Sequence, residues 1–189
     1  MAAMTGDQIA ALSTDRFAKV TADQIGAIGT NQIGALTTAQ ASKLTATQVA
    51  GLSTAQIARL EGDDLAQLSS AAIAGLSTTQ IGALTNQQIA DLATTQSAAL
   101  TGAQLASPST SQITAIETAD MAKISTSAIG SLTTAQMAAL SADQVAALST
   151  AQLAQLSAAQ LAKIGTAQIQ SLTTDHAAAL TATQVAGLT

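Results

Sequence analysis

The sequence contains no cysteine, tyrosine or tryptophan, and only one phenylalanine, one proline and one histidine. Without cysteine, no disulfide framework can stabilise the chain, which excludes the small disulfide-rich secreted domains. An enzyme domain of 189 residues would normally bury several aromatic side chains, and a single phenylalanine falls well short of that number. These absences argue against an ordinary globular enzyme.

Charged residues are also scarce, at 9% of the sequence, and they leave a net charge of −5. This acidic balance argues against nucleic-acid binding, which requires a basic surface. No apolar run approaches the length of a membrane-spanning helix, because Ser, Thr or Gln recurs every few positions. Residues 1–7 lack the basic start and apolar core of a signal peptide, so we expect no cleaved leader.

A single eight-residue repeat accounts for almost the whole sequence. Residues 5–188 divide into 23 octapeptides, here called octads, without insertion or deletion. The consensus is [Ser/Thr]-Thr-x-Gln-Ile-Ala-x-Leu: Ser or Thr fills the first position in 18 octads, and Gln fills the fourth in 17. Such regularity leaves no room for a linker, so the sequence predicts a single repeat array over residues 1–189.

A weaker period of seven octads is superimposed on the first. Residues 21–76 and 77–132 depart from the consensus at four matching pairs of positions, namely Glu61 and Glu117, Asp64 and Asp120, Ala72 and Ala128, and Ala41 and Ser97. Duplication of a block of seven octads explains the match. The alternative is that seven octads have a structural meaning, such as a superhelical turn, and the sequence does not separate the two.

The octad pattern predicts a short helix inside every repeat. Ser or Thr at the first position is a preferred N-cap, and Gln three residues later completes a capping box. The preceding Leu and the following Ile form the pair of a hydrophobic staple. In a continuous α-helix, eight residues would overshoot two turns by about 80°, so Ile and Leu would form no stripe. In a continuous strand, they would point to opposite faces.

The placement of charge supports the same helix phase. Ten of the 11 acidic residues lie in the first four positions of their octads, and five of the six basic residues lie at the seventh. A helix dipole favours acids at its start and bases at its end.

We therefore predict an all-α solenoid with one short capped helix per octad, stabilised by packing Ile and Leu against neighbouring repeats. Small residues at the sixth position should let adjacent turns approach closely. The main alternative is a β-solenoid with Thr and Gln ladders, and a poorly ordered chain is the other. Abundant Ala, Leu and Gln disfavour the β-solenoid, as does the shortage of turn-forming residues at any fixed corner position.

No set of residues predicts a catalytic, cofactor-binding or metal site. His176 replaces the consensus Gln, has only Asp175 as an ionisable neighbour, and is interpreted as a capping substitute. Glu61, Asp63 and Asp64 form the densest acidic cluster. We interpret them as acids at a helix start, since a site for a hard cation would need five or six converging oxygens.

Four further residues depart from the consensus at core positions. Phe17, Met121 and Met137 replace Ile and are expected to fill the core. Pro108 replaces Leu and disfavours a helical conformation at Ser107. We expect Pro108 to be a tolerated junction residue, with a local kink or hinge as the alternative.

The tandem [Ser/Thr]-Thr-x-Gln-Ile-Ala-x-Leu units over residues 5–188 resemble the octapeptide tracts of very large bacterial surface or secreted proteins, often described as haem-utilisation or adhesion proteins. The resemblance implies a structural or adhesive spacer outside the cell, with no catalytic residues to carry over. We therefore expect a non-enzymatic, extracellular or cell-surface segment without a cofactor, whose partner is an unknown protein or surface, with self-association as a further option.

Two alternative functions accompany this expectation. The first is a solenoid that binds a protein or peptide through the variable seventh position, although that position lacks the Tyr and Trp of binding hot spots. The second is a regular Thr array that binds ice or carbohydrate, which would require the flat face of a β-solenoid.

Overall fold

The computed structural model describes residues 1–188, which form 23 short α-helices and contain no strand. Each helix has four to six residues and lies within one octad. The helices are α1 Gly6–Ala10, α2 Thr14–Phe17, α3 Ala22–Gly26, α4 Thr30–Ile33, α5 Thr38–Ala41, α6 Ala46–Ala50, α7 Thr54–Ile57, α8 Gly62–Gln67, α9 Ser70–Ala74, α10 Thr78–Gly82, α11 Asn86–Ala90, α12 Thr94–Ala98, α13 Gly102–Ala106, α14 Thr110–Thr114, α15 Thr118–Met121, α16 Thr126–Ile129, α17 Thr134–Ala139, α18 Ala142–Ala146, α19 Thr150–Ala154, α20 Ala158–Leu161, α21 Thr166–Gln170, α22 Thr174–Ala179 and α23 Ala182–Gly187. The all-α prediction is confirmed, and the β-solenoid alternative is wrong for these residues.

Most helices begin at the predicted capping box, whereas α2, α8 and α15 have neither half of it. At α3, Thr21 has an extended backbone, with φ −75° and ψ 163°. The Gln24 N–H donates to Thr21 Oγ1 at 3.2 Å, and the Thr21 N–H donates to Gln24 Oε1 at 2.9 Å. The next octad must begin with another extended cap residue, so no helix can continue past its own repeat.

Three octads whose first residue has no hydroxyl keep half of the box. At Gly29, Ala93 and Gly165, the backbone N–H still donates to the Oε1 atom of the Gln three residues later. The Gln half of the box therefore tolerates changes at the cap residue.

The helices group into two compact units, an N-terminal unit Met1–Ala99 and a C-terminal unit Leu100–Thr189. In each unit, a helix packs on the helix three octads later. Examples in the N-terminal unit are α3 on α6 and α6 on α9, and examples in the C-terminal unit are α14 on α17 and α17 on α20. Each unit is therefore a solenoid in which contacts join successive turns.

The core of each unit consists of the apolar fifth and eighth positions. Ile57 is fully buried and the following Leu60 is 3% exposed. Phe17, Met121 and Met137 are fully buried at the fifth position, as the sequence predicted. These side chains hold helices that are too short to be stable in isolation.

Small residues at the sixth position lie where successive turns approach each other. A Cβ atom added to Gly26 would lie only 2.9 Å from the Gly51 carbonyl oxygen, in the octad three repeats later. At the equivalent Gly130, the added Cβ would lie 3.4 Å from the Gln155 carbonyl oxygen, an ordinary contact. The next turn therefore leaves too little room for a Cβ atom at Gly26 but enough room for one at Gly130.

Pro108 lies buried at the junction after α13. Ser107 keeps a right-handed helical backbone, with φ −85° and ψ −31°, although the following proline disfavours that region. The helix before Pro108 has five residues, as have many others, and it packs on α16 in the usual register. The C-terminal unit therefore accommodates Pro108 as a junction residue.

Candidate functional site

Buried glutamine side chains link the successive turns of each solenoid. Gln152 is 1% exposed, and its Nε2 atom donates to the carbonyl oxygens of Ile124 at 2.7 Å and Met121 at 3.0 Å. Its Oε1 atom accepts the Ser149 N–H at 2.6 Å. One amide thus caps its own helix with its oxygen and binds the preceding turn with its nitrogen, as a primary amide can do and a carboxylate cannot.

The same bond to the carbonyl 28 residues earlier recurs along both units. We call the side chains that make it the glutamine ladder. In the N-terminal unit they are Gln32, Gln40, Gln48, Gln56, Gln80, Gln88 and Gln96. In the C-terminal unit they are Gln136, Gln144, Gln152, Gln160, Gln168 and Gln184.

The spacing of the ladder indicates the number of octads per turn within each unit. A separation of 28 residues equals three and a half octads, which is consistent with helices that pack three octads apart. Seven octads therefore correspond to two turns in this register, so a block of that size restores the same register. The sequence suggested a single turn as the structural meaning of seven octads, and the ladder gives two.

Sequence reasoning assigned the fourth-position Gln to capping and missed its bond to the preceding turn. A signal was nevertheless present, because Glu serves a capping box as well as Gln does. Glu occupies the fourth position in none of the 23 octads. Its absence is consistent with the second bond, since an ionised carboxylate has no hydrogen to donate to a carbonyl oxygen; the two acids that do occupy this position are Asp64 and Asp120.

His176 takes the place of Gln in octad 22 and performs both of its tasks. Its Nδ1 atom accepts the Thr173 N–H at 3.3 Å, and its Nε2 atom lies 2.7 Å from the Leu148 carbonyl oxygen. These partners assign the neutral form with the proton on Nε2. The neighbouring Asp175 is exposed. The interpretation of His176 as a capping substitute is confirmed, and the ladder explains why an imidazole suits the site.

Asp64 is the acidic exception in the ladder of the N-terminal unit. It is 3% exposed, and its Oδ2 atom has no hydrogen-bond partner among residues 1–188. Burial, together with the smaller effects of the charges of Glu61 and Asp63, raises the pKa of the Asp64 carboxyl to about 6. Asp64 lies in the first turn of α8, whose N-cap residue Glu61 makes no side-chain cap hydrogen bond. Within the acidic cluster of Glu61, Asp63 and Asp64, Asp64 is therefore the residue with a buried, unpartnered carboxyl oxygen and a raised pKa.

Three further properties of the described residues bear on chemistry. No three of their His, Asp and Glu side chains are close enough together to hold a metal ion. They outline no pocket. The longest helices have six residues, and none is long and apolar enough to cross a membrane.

Comparison with known proteins identifies the octads. The ALTTAQ repeat matches the chain at residues 25–61, 57–94, 113–150 and 145–174, which together make up more than half of its length. The chain belongs to the ALTTAQ repeat family. Residues 35–40 spell the motif itself, Ala-Leu-Thr-Thr-Ala-Gln, and in this structure the motif joins the buried junction residue Leu36, the cap residue Thr37 and the ladder residue Gln40. No curated protein matches the chain.

Proposed function

We propose that this ALTTAQ repeat array is a non-enzymatic structural or adhesive spacer in a surface-exposed or secreted bacterial protein. The extracellular location and the bacterial origin rest on the resemblance of the octads to tracts in large bacterial surface proteins. The spacer role rests on the glutamine ladder, because each added octad makes the same bonds to the turn before it. Copy number can then set length without any change in the local structure.

The repetition of one bond geometry supports the spacer role most directly. In the C-terminal unit, Gln144, Gln152 and Gln160 donate to carbonyls 28 residues earlier at 2.8, 2.7 and 2.6 Å. Successive octads therefore occupy equivalent environments within the unit. A protein built for length needs this equivalence, whereas a catalytic protein needs one octad that differs chemically from the rest.

Binding of a protein or peptide is the second candidate function, and one observation favours it. The five basic side chains at the seventh position are all exposed, namely Lys19, Lys43, Arg59, Lys123 and Lys163. They would suit an acidic partner, although isolated surface charges contribute little binding energy. The Thr-array binder of ice or carbohydrate required the β-solenoid and is not proposed.

An insertion variant tests the spacer role. We would insert a second copy of residues 133–188, seven octads or two turns, directly after Leu132 in the full chain. Since a helix with its side chains is about 10 Å across, two added turns should increase the maximum dimension in small-angle X-ray scattering by about 20 Å. The mean residue ellipticity should stay the same.

A matched insertion with Ala at every fourth position of the added block serves as the control. Without ladder side chains, the added octads should lower the mean residue ellipticity. An unchanged maximum dimension in the first variant, or equal folding of both variants, would contradict the spacer role.

A further inference from the structure

One position in the N-terminal unit places an acid where the ladder requires a hydrogen-bond donor. Gln56 donates to carbonyls 28 and 31 residues earlier, on Ile28 and Ile25, and Gln88 follows the same rule. In this register, Asp64 corresponds to the carbonyls of Leu36 and Ile33. Within residues 1–188, the Leu36 carbonyl oxygen accepts no hydrogen bond, and Asp64 Oδ2 has no partner.

The groups packed around Asp64 add negative charge and supply no nearby base. Glu61 and Asp63 lie on its own helix start and act on it electrostatically. The helix α11 packs on α8 and is followed by Asp91, whose carboxylate lies against Gly62: a Cβ atom added to that glycine would lie 2.0 Å from Asp91 Oδ2. The helix α5, which packs on the other side, has no titratable residue, and the exposed Lys43 follows it.

We propose that the contact of α8 with the junction between α4 and α5, at the Leu36 carbonyl, is a pH-sensitive joint in the N-terminal unit, closed when Asp64 is protonated and loosened when Asp64 is ionised. A protonated carboxyl has one O–H to donate and one oxygen to accept with, which are the two capacities that Gln uses elsewhere in the ladder. An ionised carboxyl has no hydrogen to donate, and here it would be buried near the acids Glu61 and Asp63, which is destabilising. Acidification would therefore close the ladder at this turn.

The sign of the effect follows from linkage. The pKa of Asp64 rises from 3.8 to about 6 on folding, so the folded state binds the proton more tightly than the unfolded state does. The contribution of Asp64 to stability is then greatest below about pH 4 and is lost as the pH rises through about 6. The difference between these two pKa values corresponds to roughly 100-fold in the folding equilibrium constant.

Thermal melts of the full chain between about pH 4 and pH 7.5 test the joint. Asp64→Asn carries an amide of similar shape that can donate at every pH. It should therefore melt close to the native chain at the acidic end and several degrees higher at the neutral end. Asp143→Asn removes an exposed acid from the first turn of α18, and its difference from the native chain should not grow with pH.

A further variant keeps the test decisive if Asn is too short to make the bond. Asp64→Gln restores the consensus ladder residue and should show the same gain at neutral pH. The proposal is overturned if Asp64→Asn and Asp64→Gln change the melting temperature equally at both ends of the pH range.

Discussion

Because each ladder side chain bonds to the preceding turn, removing a single one should lower the stability of the chain substantially. In Gln152→Ala, the carbonyl oxygens of Met121 and Ile124 lose the Nε2 donor at 3.0 and 2.7 Å, and the Ser149 N–H loses its acceptor at 2.6 Å. The Ile124 carbonyl accepts no other bond among residues 1–188. An unpaired buried group costs about 1–3 kcal/mol, and each lost hydrogen bond contributes about 1 kcal/mol.

We therefore expect Gln152→Ala to lower the free energy of unfolding by about 2–4 kcal/mol. Urea denaturation followed by circular dichroism measures the loss as a lower midpoint. Gln155→Ala is the matched control, because Gln155 lies three residues later in the same octad but is exposed. It should change the free energy by less than about 0.5 kcal/mol. Equal effects of the two substitutions would refute the assignment of stability to the ladder.

Three further substitutions test other parts of the structure by thermal melting. Pro108→Leu should raise the melting temperature, since Leu restores a backbone N–H at a buried junction; no change or a fall would show that proline costs nothing there. His176→Ala should lower stability by about 2 kcal/mol, because it removes two hydrogen bonds. His176→Gln should preserve stability. Equal losses in the two variants would argue against a ladder role for His176. Gly26→Ala should destabilise the chain by about 1–3 kcal/mol, because the added methyl group would crowd the next turn. Gly130→Ala should not, because its added Cβ atom would make an ordinary contact of 3.4 Å. A larger loss of stability in Gly130→Ala than in Gly26→Ala would contradict this packing of the turns.

The local structure of each octad could be predicted from sequence because its interactions span only a few residues. The capping box joins Thr21 to Gln24, three residues apart, and the apolar fifth and eighth positions follow the same short period. Both partners of each capping hydrogen bond therefore lie within one octad, where the sequence pattern shows them. Short-range interactions therefore determined the length and phase of the helices.

The winding of the turns could not be predicted in the same way. The partner of Gln152 lies 28 residues earlier, at a distance that no single octad specifies and that depends on how stacked helices pack. The exclusion of Glu from the fourth position pointed to a second role for Gln without naming the partner. The burial of Asp64 follows from the same packing, so the cluster of Glu61, Asp63 and Asp64 was interpreted only as acids at a helix start.

The most direct test of the account is a disulfide cross-link between successive turns. The chain has no cysteine of its own, and a Cβ atom built on Gly130 lies 3.6 Å from the Cβ atom of Gln155, within the usual range for a disulfide. Gly130→Cys with Gln155→Cys should form the bond readily under mild oxidation, as measured by mass spectrometry of proteolytic fragments. Gly130→Cys with Lys163→Cys, shifted by one octad, should not. Preferential cross-linking of the shifted pair, or of neither pair, would contradict a solenoid wound in the register of the glutamine ladder.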